Sequence, residues 1–336
     1  MIPPRTILNL FSAYRSYRAK RTHPLFFTNF ITGRCNLNCP ACFFKKRKMC
    51  DGNEEMSTKK HIEIAKQAAD LHIPFYYVAG GEPLIRGDLF EIVASAKRRG
   101  LYTILYTNGT LIDKSAAGQI GRCFDTVFIS LDGPRKIHDA WRQPGAHDRT
   151  MAGMESLRAG APKVKMNVNT IIEHDSLGWL EGFVAKARSI GINRVQIHPN
   201  FTPPERISDD EVEEFHRALT DIKKRYPKVI EGEPEYFRRI ALFFGRDNGW
   251  ECDAATRLNI ANMPGGVVSA CCMYSAPIGD LKIETLKEVL ARRRPADDLF
   301  SSCEGCCRQD YRLIRRLFSR PLISMTFEDF HLLKNL

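Results

Sequence analysis

Short apolar runs alternate with longer amphipathic segments from residue 25 to about residue 200. The runs are rich in β-branched and aromatic residues, which predicts strands at 24–32, 74–80, 102–108, 125–131, 163–172 and 194–199. The segments between them predict helices at 57–71, 87–100, 113–121, 148–160 and 176–191. Apolar strands separated by helices indicate a parallel sheet covered by helices. The pattern predicts an α/β fold, a partial (β/α)6 barrel with its chemistry at the carboxyl ends of the strands.

The alternation stops near residue 205, where two prolines precede a helical segment that runs to about Tyr226. Further along, the stretch 264–266 (Pro-Gly-Gly) separates two short strand-like runs and predicts a hairpin. We therefore expect four segments along the chain. They are an N-terminal amphipathic helix (1–24), the barrel (25–205), a helical linker (206–250) and a small C-terminal α+β domain (251–336).

The composition is that of a folded protein with a basic surface. Lys and Arg number 50 against 39 Asp and Glu, and the formal net charge of +11 permits an anionic partner. The aromatic motifs of RNA-binding modules and the histidine spacing of zinc fingers are both missing, so the sequence disfavours nucleic acid. No apolar run approaches the roughly 18 residues of a membrane span, and the N-terminus is a poor signal peptide. We expect a cytoplasmic protein.

Ten of the eleven cysteines fall into two groups, near residues 35–50 and 252–307, which indicates metal sites rather than disulfides in a reducing compartment. Cys35, Cys39 and Cys42 form a CxxxCxxC pattern directly after the first predicted strand. Thiolates select zinc, copper(I) or iron–sulfur clusters, and structural zinc sites close with four ligands. A [4Fe–4S] cluster on three thiolates has one iron open to an external molecule. The spacing favours this cluster and leaves zinc as the alternative.

Four motifs, taken together, resemble the radical S-adenosylmethionine (radical SAM) superfamily. The cysteine pattern lies in "FITGRCNLNCPAC" (30–42) after the first strand, and "AGGEPL" (79–84) ends the second. "TNGTL" (107–111) ends the third strand, and "ISLDGP" (129–134) ends the fourth, followed by "IHDAWR" (137–142). The resemblance covers roughly residues 25 to 200. It implies a radical SAM barrel that binds a [4Fe–4S] cluster and S-adenosylmethionine.

The resemblance also implies roles for individual residues. Gly80 and Gly81 would let the backbone approach the methionyl ammonium group, and Glu82 would supply an anion for it. The remaining expected cofactor-binding residues lie at the ends of strands three to six; they are Asn108, Ser130, Asp132, Asn169 and His198. In this family, reductive cleavage of S-adenosylmethionine gives a 5′-deoxyadenosyl radical that abstracts hydrogen from an unactivated carbon. A flavodoxin or ferredoxin would supply the electron. No catalytic acid or base is assigned.

The C-terminal cysteines resemble those of the SPASM domain and of its shortened form, the twitch domain. The expected ligands of an auxiliary [4Fe–4S] cluster are Cys252, Cys271, Cys303 and Cys306, with Cys272 and Cys307 as alternates for their neighbours. Four thiolates would close the ligand shell, and zinc is again the alternative. A fully ligated second cluster could accept an electron from the substrate radical. The expected activity is that of an oxidoreductase or maturase.

The substrate is an unidentified organic molecule, for which two classes stay open. An oxidation or cross-link on a sugar-like or peptide substrate is the first. The second is a lipid at an anionic membrane, because Ile7, Leu10, Phe11, Tyr14 and Tyr17 recur at helical spacing beside arginines. That stripe equally fits a helix packed on the barrel, so peripheral membrane attachment stays open as well. The rival classes of protein are an iron–sulfur electron carrier and a zinc-stabilised binding protein.

Overall fold

The computed structural model of the protein describes most of the first 245 residues and short pieces beyond them. The described residues are 4–19, 21, 23–40, 42–46, 55–200, 206–245, 259–270, 277–292 and 318. The four expected auxiliary ligands and their two alternates lie outside them. The auxiliary site therefore stays a prediction.

The strands of the described residues form one sheet in the order β6-β5-β4-β3-β2-β1-β7-β8-β9. Their bounds are β1 Phe26–Thr32, β2 Phe75–Gly80, β3 Tyr102–Thr107, β4 Thr126–Ser130, β5 Lys165–Ile172, β6 Arg194–Pro199, β7 Asn259–Asn262, β8 Val267–Ser269 and β9 Pro277–Asp280. Neighbouring strands from β6 through β1 to β7 run parallel, and β7, β8 and β9 are antiparallel to one another in turn. The predicted α/β class, parallel sheet and hairpin are confirmed.

Helices follow most of the parallel strands. Their bounds are α1 Pro4–Arg18, α2 Phe43–Lys46, α3 Thr58–Asp70, α4 Leu89–Arg98, α5 Lys114–Cys123, α6 Arg135–Trp141, α7 Ala146–Gly160, α8 Leu177–Ser189, α9 Asp209–Arg225, α10 Pro234–Phe244 and α11 Leu286–Arg292. Single turns of 3₁₀-helix cover Pro83–Ile85 and His174–Ser176. Ser57 caps the start of α3, because its hydroxyl accepts the Lys60 N–H at 3.3 Å. Within the described ranges, no helix is both long and apolar enough to cross a membrane.

The sheet is buried on both faces, which is why its strands read as nearly continuous apolar runs. Phe27, Val78 and Leu105 alternate with residues of the other face and pack against the helices that follow the strands. We call this the outer face. On the opposite, inner face, Phe26 and Tyr102 belong to a separate cluster that also contains residues of α1. Successive residues along each strand therefore lie in two different environments.

Helix α1 packs on the inner face through Leu10 and Ala13. This agrees with the alternative in which the helix packs on the barrel. The composition of the stripe was predicted only in part. Ile7 and Phe11 belong to the predicted stripe but are 44% and 42% exposed, because the turn of the helix brings Ala13 rather than these side chains onto the sheet. The buried ring of Phe318 also packs against α1, with its centroid 5.4 Å from that of Tyr14 and 5.8 Å from that of Tyr17.

The sequence did not predict that β7 joins the edge of the sheet at β1. Phe26 pairs with Asn259, and the pairing continues in parallel to Asn29 and Asn262. The buried asparagines of β7 have partners on β1: the side-chain amides of Asn262 and Asn29 lie 2.7 Å apart. The hairpin expected in a separate domain is thus continuous with the sheet. The boundaries of the four segments stay predictions.

Candidate functional site

The carboxyl ends of β1 to β5 meet at one edge of the sheet because these strands are parallel. The loop after β1, residues 33–42, carries the three clustered cysteines and is called the cysteine loop below. Backbone hydrogen bonds join it to the end of β2. The Gly81 N–H donates to the Thr32 carbonyl and the Glu82 N–H donates to the Arg34 carbonyl, each at 2.8 Å.

The two glycines leave room for this contact. A Cβ on Gly81 would lie 2.1 Å from the carbonyl oxygen of Arg34, and a Cβ on Gly80 would lie 2.4 Å from that of Thr32. Gly80 also has φ near +149°, which side chains disfavour. The sequence attributed this pair to close approach of a ligand. The structure gives a second reason, which is the close approach of the cysteine loop, and the ligand contact stays a prediction.

Glu82 joins the ends of β2 and β3 and is completely buried. Its carboxylate accepts the Thr107 hydroxyl and the Asn108 N–H at 2.8 Å, and the Leu84 N–H at 3.1 Å. Burial raises the pKa of Glu82 to about 7, although these hydrogen bonds oppose it. A cation placed beside the carboxylate would favour its ionised form. The predicted contact with an ammonium group is compatible with this electrostatic setting but stays a prediction.

Asn108 connects β3 to the cysteine loop. Its amide nitrogen donates to the Asn36 side chain at 2.9 Å and lies 4.0 Å from the Cys35 sulfur. Its amide oxygen accepts both the N–H and the hydroxyl of Thr110. The side chain is therefore fixed by its neighbours at the first cysteine. Its position agrees with a site residue, and Asn36 is one that the sequence analysis did not single out.

Cys35, Cys39 and Cys42 are free, half-buried thiols on one loop. Burial raises the pKa of the Cys35 and Cys39 thiols, and at Cys39 the Arg142 guanidinium opposes the shift. In the described part of the chain, no three Cys, His, Asp or Glu side chains converge on a single metal-ion position. A four-iron cluster binds each thiolate to a different iron, so its sulfurs need not meet at one point. Three neighbouring thiols beside a guanidinium fit an anionic, thiolate-bound cluster.

Asp132, an expected cofactor-binding residue whose carboxylate suits a ribose hydroxyl, is fully buried and already has protein partners. Its carboxylate accepts Arg142 Nε at 2.6 Å and the Ile171 N–H at 2.9 Å. The Asp132 N–H donates to His138 Nδ1 at 3.1 Å. Burial lowers the pKa of His138 to about 4, so this imidazole is neutral at pH 7. The ribose contact of Asp132 stays a prediction, and the structure adds Arg142 as the charged group between Asp132 and Cys39.

The remaining expected residues line the inner face further along the sheet. Ser130 and Asn169 are directly paired on β4 and β5, and the buried Asn169 Oδ1 has no partner among the described residues. His198 is the penultimate residue of β6, and its Nδ1 lies 3.5 Å from the Tyr236 hydroxyl. An unpartnered acceptor beside Ser130 fits a ligand hydroxyl or amine. His198 is held by α10 and lies one strand further from the cysteines.

Arg142 is a second site residue that the sequence analysis missed. Its signal was present, because "IHDAWR" ends a short helix on a cation directly after the motif of strand four. The ion pair with Asp132 spans ten residues and depends on the turn of α6, which no local pattern specifies. The pair holds a guanidinium, 15% exposed, at the cysteine loop.

Residues 29–177 match the family model of the radical SAM superfamily. This match identifies that part of the chain as a radical SAM domain. Radical SAM domains use a [4Fe–4S] cluster and S-adenosylmethionine, so the class of protein agrees with the cysteine loop and the motifs around it.

Curated relatives are similar over the same region. Fe-coproporphyrin III synthase of Methanosarcina barkeri is 33% identical over 136 residues, which are 40% of this chain and 34% of that protein. PqqA peptide cyclase of Gluconobacter oxydans is 30% identical over 176 residues, 50% of this chain and 47% of that protein. The chain thus spans about half or less of the length of these relatives. Both are enzymes, and they act on different molecules.

The fold is similar to that of Streptococcus suis SuiB bound to S-adenosylmethionine. The TM-score is 0.66 at 16% identity, covering 87% of this chain and 70% of SuiB. A second SuiB structure, bound to the precursor peptide SuiA, gives a TM-score of 0.64 at 16% identity, covering 89% and 71%. At this identity the likeness establishes the fold alone.

Proposed function

We propose that the protein is a radical SAM enzyme that cleaves S-adenosylmethionine reductively and abstracts hydrogen from a polar organic substrate. The observation that carries this proposal is the packing of the cysteine loop into the paired glycines at the end of β2. That contact brings three thiols to the sheet edge where Glu82 and Asn108 are also fixed. An electron carrier or a zinc-stabilised binding protein needs the thiols but not this surrounding arrangement.

The chain's own residues would bind and orient the cofactors. Cys35, Cys39 and Cys42 would hold a [4Fe–4S] cluster, which supplies the electron that cleaves S-adenosylmethionine. Glu82 would accept the methionyl ammonium, whose charge favours ionisation of its buried carboxyl. Asn169 Oδ1, unpartnered among the described residues, would accept from a ribose hydroxyl or adenine amine. The buried side chains of Glu82 and Thr107, at the ends of β2 and β3, would help to exclude water from the radical.

An auxiliary cluster would make the net reaction an oxidation or cross-link. Its proposed ligands are Cys252, Cys271, Cys303 and Cys306, outside the described residues. A fully ligated cluster has no site for substrate and is suited to accepting one electron. The external electron donor would be an acidic flavodoxin or ferredoxin, which complements the net charge of +11.

A polar substrate is supported by the inner face of β5. Asn167 is 1% exposed, and neither atom of its amide has a partner among the described residues. An amide that can both donate and accept is complementary to a peptide group or a sugar hydroxyl pair. Two of the similar proteins point the same way, since one is named PqqA peptide cyclase and the other, SuiB, has a structure with a bound precursor peptide. A peptide or sugar-like substrate is therefore our first candidate.

A lipid substrate is the second candidate, and one observation favours it. Ile7, Leu8 and Phe11 are exposed on α1, near the exposed Arg15 and Arg18. An exposed apolar stripe beside arginines can enter an anionic membrane surface. Leu10 and Ala13 are not available for this, because they pack on the sheet.

We expect anaerobic incubation with dithionite and S-adenosylmethionine to release 5′-deoxyadenosine from the reconstituted protein, even without substrate. The variant with Cys35, Cys39 and Cys42 replaced by alanine should release none above background. Protein with verified clusters and no release would contradict the enzyme proposal and favour an electron carrier. Anionic vesicles added to the same assay separate the candidates. Faster release that falls with salt, and is lost in the variant Ile7→Ser/Phe11→Ser, would favour lipid.

A further inference from the structure

A network of charged and polar side chains lies on the outer face, beside the start of the cysteine loop. Glu55 accepts hydrogen bonds from three consecutive residues, which are the Thr32 hydroxyl, the Gly33 N–H at 3.2 Å and the Arg34 guanidinium at 3.2 and 3.3 Å. Burial opposes ionisation of Glu55, but these donors outweigh it, and its pKa lies below the usual value. One carboxylate thus fixes the three residues that lead into Cys35.

Arg86 is the centre of the network and is 7% exposed. Its guanidinium donates to the Ile31 carbonyl at 2.7 Å and to the Met56 carbonyl at 2.8 Å, and it forms a two-point ion pair with Asp88 at 2.6 and 2.9 Å. It also lies 3.8 Å from Glu55. Arg86 therefore ties the end of β1 to the segment that carries Glu55, in the forked geometry that only arginine provides.

His61 accepts from Arg86 and must be neutral to do so. Arg86 Nη1 can only donate, so His61 Nε2, 3.3 Å away, is the acceptor. Burial and this guanidinium lower the pKa of His61 to about 3, which agrees with a neutral ring. The proton then resides on Nδ1, 3.1 Å from the Asn29 amide. This tautomer requires the Asn29 oxygen to face the ring and its nitrogen to face Asn262.

That orientation also reverses the hydrogen bond between Asn29 and Asn262. With the Asn29 nitrogen turned to His61, the buried Asn262 Oδ1 has no partner among the described residues. When both side-chain amides are turned, the Asn29 nitrogen donates to the Asn262 oxygen. The Asn29 oxygen then accepts from His61 Nδ1 and from the Tyr76 hydroxyl, which lies 2.7 Å away. A single set of proton positions then connects Asn262 to Arg86 through Asn29 and His61.

We infer that Glu55 and Arg86 are positioning residues for the iron–sulfur cluster: they hold Thr32–Arg34, and hence Cys35, in place before the cluster binds. His61 and Asn29 anchor this arrangement to β7. The inference rests on the proposed function for the identity of the cluster but not for the order of the loop. None of these side chains touches the cysteines in the described contacts, so their effect is indirect.

The test begins with hydrogen exchange on protein from which iron has been removed. In Glu55→Gln and Arg86→Gln, the amides of residues 33–37 should exchange about tenfold faster than in the unsubstituted chain, since charge-assisted hydrogen bonds are lost. Glu63→Gln, which removes an exposed ion pair with Lys60 on α3, is the matched control and should not change them. Exchange unchanged in both test variants would overturn the inference, whether or not the protein proves to be an enzyme.

A second measurement separates positioning from general stability. After reconstitution, both test variants should lose iron to a chelator about tenfold faster, with an altered electron paramagnetic resonance (EPR) spectrum of the reduced cluster. His61→Gln, which keeps an acceptor for Arg86 and a donor for Asn29, should retain iron better than His61→Leu. If Arg86→Gln does not fold, Arg86→Lys takes its place in both measurements, because lysine keeps the charge but cannot form the two-point ion pair with Asp88. Iron loss and spectra equal to those of Glu63→Gln would contradict a positioning role.

Discussion

Replacement of Cys35, Cys39 and Cys42 together by alanine is expected to lower the iron content of the reconstituted protein from about eight to about four atoms per chain. The reason is that the three thiols lie on one loop and would serve one cluster, whereas the C-terminal cysteines would serve another. The measurement is iron and sulfide analysis with metal analysis for zinc. Alanine is small enough to leave the backbone contacts of the loop with Gly81 and Glu82 unchanged.

Cys123 gives the control for that experiment. It is the buried last residue of α5, with its thiol 3.7 Å from the Phe90 carbonyl, and has no place in either site. Cys123→Ala should leave the iron content unchanged. About four irons with one zinc in the unsubstituted chain would contradict the auxiliary cluster and give that segment a structural role.

Gly81→Ala is expected to prevent cluster assembly while the sheet still folds. The new methyl group would lie 2.1 Å from the Arg34 carbonyl oxygen and 2.6 Å from its carbon, so the cysteine loop must move away from the end of β2. Backbone atoms cannot give way as a flexible side chain can. The loop would lose the hydrogen bonds from Gly81 and Glu82, and Cys35 would lose its position. Iron content and the absorbance of the cluster should fall to background.

Gly182→Ala is the matched control, because nothing lies within 4 Å of its Cβ position on α8. That variant should bind iron as the unsubstituted chain does and unfold at the same or a higher temperature. Far-ultraviolet circular dichroism of Gly81→Ala checks that the sheet is intact. A Gly81→Ala protein with a full cluster would refute the view that the glycine pair exists to admit the loop.

The parallel sheet could be predicted because its strands are buried on both faces and each carries its own apolar run. The cysteine loop could be predicted equally well, since three cysteines within eight consecutive positions are a local pattern. The pairing of β7 with β1 was not, because it joins residues about 230 positions apart, as in the hydrogen bond between Thr28 and Asn259. The sequence of a short strand in a cysteine-rich segment does not indicate which edge of the sheet the strand joins.

Charged residues of the site were hardest to predict. Arg86 follows the glycine motif by a few residues and Glu55 precedes α3, and each has a sequence context that also fits an exposed charge. Their burial depends on four separate elements meeting at the end of β1. The α1 stripe illustrates the same limit. Helical spacing selected Leu10 correctly, but it also selected the exposed Ile7 and Phe11 and did not select the buried Ala13.

The most direct test of the central claim is the EPR spectrum of the reduced cluster, recorded before and after addition of S-adenosylmethionine. The variant lacking Cys252, Cys271, Cys303 and Cys306 isolates the cluster of the cysteine loop. Three thiolates leave one iron open, so the cofactor should bind there and change the spectrum. We predict a clear change in the g values of this variant. An unchanged spectrum would indicate that no iron is open to the cofactor, as in a cluster with four protein ligands, and would contradict the account.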